Sequence, residues 1–122
     1  IHPRARKQME AFGIGVHGLR LTEPLDYLRF LQLESYAKLV LTDSGGVQEE
    51  ACILKVPCVT LRYNTERPET LEVGSNILAG TDHCEIAKGT KHMLSKDNKW
   101  ENPFGDGNAG KRIVSILRDG FD

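Results

Sequence analysis

No stretch of this 122-residue chain approaches the roughly 20 consecutive apolar residues that a membrane-spanning helix requires. Charge of one sign is equally lacking. The formal net charge is -1, which gives no general attraction to nucleic acid or anionic lipid and leaves small molecules or protein as partners. Cysteine is scarce: Cys52, Cys58 and Cys84 are odd in number and form neither a CxxC metal pair nor a disulfide framework, so reduced thiols are expected. His2, His17, His83 and His92 lack metal-ligand spacing, and neither a metal nor a cofactor is expected. A charged segment, not an apolar one, follows Ile1, so no secretory leader is read here and a cytoplasmic location is expected. An initial Ile in place of Met suggests a piece of a longer polypeptide. Repeats, low-complexity tracts and internal linkers are missing too. What remains, at 39% hydrophobic and 27% charged, is an ordinary globular composition long enough for one core, so residues 1–122 are expected to form one partial domain.

Pro3 to Phe12 has the pattern of a short basic helix, closed by Gly13-Ile14-Gly15. Val16 to Leu21 alternates apolar and polar residues as a strand does. Thr22-Glu23-Pro24 reads as a helix start, and Leu25, Leu28 and Leu31 with Tyr27 and Phe30 give an apolar helical face reaching Tyr36. Strands are predicted at Leu39 to Thr42, Val59 to Leu61 and Asn76 to Leu78. Helices are predicted at Val47 to Leu54, after the Pro68 loop, from Asp82 (a capping-box signal with Glu85) and through Ile113, Ile116 and Leu117. NPFGDGN at 102–108 is turn chemistry throughout. Strands alternating with helices specify an α/β domain with a mainly parallel sheet, whose ligands bind beyond the carboxyl ends of the strands. Asp43 to Gly46 and Arg62 to Arg67 share that rim.

The stretch LVLTDSGGVQEEA at 39–51 poses a question. Ser44-Gly45-Gly46 at a helix start lets backbone N–H groups meet a phosphate, yet Glu49 and Glu50 are expected in the first turn of the same helix. An ordinary N-terminal cap with dipole-complementing carboxylates is one reading. The other is a nucleotide site in which the glycine turn holds a diphosphate and a glutamate accepts from the ribose diol. Arg67 offers a planar fork to phosphate oxygens, while Arg62 is expected to be solvated or paired with Glu66 or Glu69. Phe30 and Tyr27 either stack a base or pack in the core.

TDSGGVQEEA at 42–51, LRYNTERPE at 61–69, the opening IHPRARK and NPFGDGNAGKRIVSIL at 102–117 together resemble the non-hydrolysing UDP-N-acetylglucosamine 2-epimerases, in order and over essentially the whole chain. What they resemble is the C-terminal third of such an enzyme. The resemblance implies a Rossmann-like parallel sheet with flanking helices, the C-terminal domain of a glycosyltransferase B type fold lacking its first strand. It implies that Ser44, Gly45 and Gly46 meet the UDP diphosphate, Glu50 the ribose hydroxyls, Arg67 a phosphate and Phe30 the uracil. His2, with Arg4 beside it, matches a regulatory nucleotide-sugar site. The implied reaction is interconversion of UDP-N-acetylglucosamine and UDP-N-acetylmannosamine by elimination and re-addition of UDP.

Proton transfer at the sugar carbon needs positioned acid and base groups. The resemblance places them in the N-terminal domain, so no catalytic residue is expected in this chain and it is expected to be inactive alone. Lys55 stands where that family usually has a glycine, and a left-handed lysine there would cost about 1 kcal/mol. Cys52 replaces a usual proline. A missing central strand would leave Val16 to Leu21 and Leu39 to Thr42 without a neighbour, so dimerisation, segment swapping or direct pairing of the two is expected. The alternatives are the donor-binding half of a glycosyltransferase of the same architecture, or a non-catalytic nucleotide-sugar-binding or oligomeric fragment.

Overall fold

Cys58, Val59 and Thr60 are fully buried, the pattern of a central strand covered on both faces. In the computed structural model, which describes residues 1–120, they are the middle of a three-stranded parallel sheet. The strands are β1 (Val40–Thr42), β2 (Cys58–Thr60) and β3 (Asn76–Leu78), in that order, with Leu41, Val59 and Ile77 in register. The helices are α1 (Pro3–Ala11), α2 (Tyr27–Ser35), α3 (Gly45–Ile53), α4 (Pro68–Glu72), α5 (His83–Leu94) and α6 (Ala109–Asp119). The chain divides into two compact units, one of Ile1–Leu33 and one from Glu34 onward.

The second unit holds the sheet. α3 packs on β1 and β2, α5 on β2 and β3, and α4 on β3 and α3. Ala51, Val56 and Cys58 form the centre of the apolar core, with Ala37, Val40 and Leu54 against it. α3 ends as its sequence foretold. Val56 N donates to Ala51 O (2.9 Å) and Lys55 N to Cys52 O (3.2 Å), the paired bonds of a left-handed helix stop. Lys55 takes φ 62° there, the one described non-glycine residue at positive φ. Its ammonium donates to Trp100 O and lies 5.9 Å from the centre of the Trp100 ring, while the Trp100 indole donates to Cys52 O at 2.9 Å. These contacts offset the strain of a lysine in glycine's place. At the start of α5, Asp82 accepts from Cys84 N and Glu85 N as predicted, but Glu85 turns to Lys88 (2.6 Å) and does not close the capping box.

In the first unit the prediction fails at Val16 to Leu21, which form no strand. Gly18 at φ +77° interrupts extended geometry, and a strand is stable only when a neighbour takes up its hydrogen bonds. Of the three repairs expected, direct pairing of this segment with Leu39 to Thr42 is not formed: β1 pairs with β2 alone among the described residues. α2 begins at Tyr27, not at Thr22-Glu23-Pro24. The Asp26 carboxylate caps it by accepting from Arg29 N at 3.0 Å, a stronger local signal than the preceding proline. A further correction concerns α3. Gly45 and Gly46 are themselves helical, so its first turn holds no acidic residue and Glu49 and Glu50 fall one turn later.

Candidate functional site

The carboxyl ends of β1 and β2 open onto one rim. Thr42 Oγ1 accepts from Ser44 N (3.1 Å) and brings the chain out of β1 into Ser44, the exposed N-cap of α3 at φ -89°, ψ 127°. The Ser44 hydroxyl makes no capping bond, and the N–H groups of Gly45, Gly46 and Val47 have no acceptor among the described residues. The helix thus presents unpaired donors and its positive dipole end at the rim. A Cβ at Gly45 would stand 2.5 Å from Oε1 of Glu66, so a larger residue there would displace the Glu66 side chain. Gly46 is exposed, and a Cβ there would come no nearer than 4.0 Å to the Ser44 hydroxyl.

Internal carboxylates hold both arginines. Arg62 Nη1 donates to Glu66 Oε2 at 3.0 Å, the pairing expected for it, and Nη2 donates to Asn64 Oδ1 at 3.1 Å. The Glu66 backbone N–H and, beside it, Arg62 hold the Glu66 carboxyl below the usual range. Arg67 Nε donates to Glu49 Oε2 at 2.5 Å and Nη1 to the Glu66 carbonyl at 3.0 Å. Its partner Glu49 raises the Arg67 pKa further still. Nη2 of Arg67 makes no hydrogen bond among the described residues. Glu49, whose charge beside the glycine turn needed explaining, is thus the anchor of Arg67.

Glu50 is half-buried on α3. Glu34, 4% exposed with neither carboxylate oxygen hydrogen-bonded among the described residues, lies within its electrostatic reach. Burial first, and then the Glu50 charge, push Glu34 up to about 7. Burial likewise pushes the Cys58 thiol up to about 12, which makes it an inert core sulfur. Nothing in the sequence patterning marked Glu34, because it sits on a helix whose apolar neighbours were read as the buried face.

The structure gathers Ser44, Gly45, Gly46, Glu50 and Arg67 in the second unit. Phe30 belongs to the first, where it lines a cavity of about 340 Å³ with His2, Thr22, Leu25 and Leu33. His2 is also the N-cap of α1, its Nδ1 accepting from Arg4 N at 3.2 Å, and Arg4 itself is exposed. Asp82, His83 and Cys84 have ligand atoms within 4.8 Å of one another, but all three are exposed and the Asp82 carboxylate is engaged as a helix cap.

The family model described as "UDP-N-acetylglucosamine 2-epimerase" matches residues 1–118. A UDP-N-acetylglucosamine 2-epimerase of Methanococcus maripaludis is 57% identical over 122 residues, covering 96% of this chain and 33% of the relative. One from Escherichia coli K12 is 37% identical, covering 98% of this chain and 33% of the relative. Among solved structures, the Methanocaldococcus jannaschii UDP-GlcNAc 2-epimerase in complex with UDP-GlcNAc and UDP superposes with a TM-score of 0.90 at 54% identity, over 98% of this chain and 34% of that one. The enzyme of Neisseria meningitidis bound to UDP-GlcNAc does so with a TM-score of 0.75 at 37% identity, over 98% of this chain and 34% of that one. The chain spans about a third of the length of the relatives it matches. Its parallel sheet and flanking helices are the Rossmann-like, glycosyltransferase B type architecture that the sequence resemblance implied.

Proposed function

The chain belongs to the UDP-N-acetylglucosamine 2-epimerase family, and from that premise we propose that its second unit carries the site for the UDP part of a nucleotide sugar. The unpaired N–H groups of Gly45 and Gly46, with the Ser44 hydroxyl, take the diphosphate. Arg67 contacts a phosphate through its open Nη2, and Glu50 accepts from the ribose hydroxyls. One observation carries the reading: the open end of α3 and the guanidinium of Arg67 meet around Glu66, whose side chain lies against Gly45 and whose carbonyl accepts from Arg67. Positive dipole, free donors and an oriented arginine are what a diphosphate needs.

The reaction we propose for the whole protein is reversible inversion at C2 of the sugar, UDP-N-acetylglucosamine to UDP-N-acetylmannosamine, by elimination and re-addition of UDP. This chain binds and orients the leaving UDP. The acid and base that move the C2 proton come from the part of the relatives that this chain does not span, so the 122 residues alone turn over no substrate.

Calorimetric titration with UDP tests the site. Saturable binding is expected, weakened roughly 10- to 100-fold by Arg67→Ala, the loss of one charge-assisted contact. An absence of heat at millimolar UDP, or an Arg67→Ala protein with unchanged affinity, overturns the reading.

A further inference from the structure

Beneath the site lies a polar cluster that UDP would not touch. Gln48, Thr60, Thr70, Ser75 and Asn76 are all 0–1% exposed, and they join α3, β2, α4 and β3. Their hydrogen bonds converge on the backbone of one residue, Arg67. The Arg67 N–H donates to Thr65 Oγ1 at 3.0 Å, and the Arg67 carbonyl accepts from Thr70 Oγ1 at 2.7 Å. Each hydroxyl is held in turn. Thr65 gives its proton to Gln48 Oε1 at 2.5 Å, and Thr70 accepts from Asn76 Nδ2 at 3.1 Å. Asn76 Nδ2 also donates to Gln48 Oε1 at 3.3 Å, and Asn76 Oδ1 accepts from Thr60 on β2 at 2.8 Å.

We propose that Gln48 is a positioning residue for Arg67, acting through Thr65 and Asn76 to grip the Arg67 backbone on both sides. Thr65 Oγ1 and Asn76 Nδ2 both donate to Gln48 Oε1. The Arg67 N–H can only donate and its carbonyl only accept, so Thr65 accepts at one side of Arg67 and Thr70 donates at the other. The opposite end of the Gln48 amide, Nε2, is buried and has no partner among the described residues. A residue chosen for stability alone would avoid that orphaned donor, since an apolar side chain of the same size fills the space without it. The bonds that are made at Gln48 Oε1, Thr65, Thr70 and Asn76 restrict the Arg67 backbone to one geometry.

The same helix grips Arg67 twice. Gln48 fixes its backbone, and the next residue, Glu49, fixes its guanidinium through the 2.5 Å contact at Nε. The helix that offers N–H groups to the diphosphate therefore also sets where the arginine stands, and the two halves of the site are built to one reference. This inference rests on the reading of Arg67 as a phosphate contact.

Two variants and two readouts test it: Gln48→Met, which keeps volume and removes the acceptor, and Thr65→Val, which removes only the bridging hydroxyl. Hydrogen exchange of the Arg67 amide, measured by NMR without ligand, is expected to quicken about tenfold or more in either variant while the amides of β2 keep their protection. UDP affinity is expected to fall about tenfold in each, and by less than about twofold when the same change is made in Arg67→Ala, because the effect passes through Arg67. An Arg67 amide as protected as before, or an affinity loss that persists in full in Arg67→Ala, overturns the proposal. If the unaltered chain binds no UDP, the nucleotide reading fails, and the exchange measurement still decides whether Gln48 positions Arg67. Should Gln48→Met fail to fold, Thr65→Val decides alone.

Discussion

The two units of this chain differ in what they bury. In the first, Phe12, Leu19, Tyr27 and Leu28 are 63–75% exposed and no residue is buried. In the second, Glu34, Gln48, Thr60, Thr70, Ser75 and Asn76 are at most 4% exposed. The difference is the sheet. A paired parallel sheet covered by helices creates an interior, and whatever side chains point into it are buried, polar ones included. One nine-residue helix in each unit makes the same point: α1 contributes no buried residue, whereas α3, of equal length, buries Gly45, Gln48, Ala51 and Cys52. The apolar faces of the first unit have no sheet beneath them within that unit.

The largest test of this contrast is truncation on each side of it. Trp100→Ala should cost about 3–5 kcal/mol, because it empties a core position and leaves the Cys52 carbonyl without the indole donor. Leu28→Ala, at an exposed position, should change stability by less than about 0.5 kcal/mol. Urea denaturation of both variants measures the two costs, and equal costs would break the comparison.

Next in size is the pH response of the buried acid. Glu34 has a folded pKa of about 7 against 4.5 for the ordinary side chain, so the folded state holds the proton more tightly. Its neutral form carries no penalty below pH 4.5. Between 4.5 and 7 the unfolded chain gives up this proton while the folded chain retains it, so stability falls as pH rises through that window, by on the order of 3 kcal/mol. Glu34→Leu should flatten the decline and leave a more stable protein at pH 8, as thermal melts across pH will show. A decline unchanged in Glu34→Leu would move its origin elsewhere.

The smallest effect is expected at Lys55. Lys55→Ala keeps the left-handed φ of 62° and loses the ammonium contact to Trp100, so it should destabilise by about 1 kcal/mol. Lys55→Gly relieves the strain while losing the same contact, and should stay within about 0.5 kcal/mol of the parent. Chemical denaturation of the pair separates strain from contact.

Legibility in the sequence followed the range of the forces involved. The three sheet strands and the Asp82 cap were readable because periodicity and capping act over a few residues, whereas the glycine-like stop at Lys55 came from the family resemblance. The rim that holds Ser44 and Arg67 was readable because strand–helix alternation puts ligand contacts at strand ends. Val16 to Leu21 misled because alternation describes a strand that would be stable only with a partner. Glu49 and Glu50 were placed a turn early because glycines were read as a turn when tertiary packing makes them helical. What composition and local pattern determined, then, is the α/β class, the strands and the rim. Only the tertiary structure decided that Glu49 anchors Arg67 and that Gln48 meets Thr65 and Asn76, residues 17 and 28 positions away, because a buried hydrogen bond has no local signature until the sheet brings its partners together.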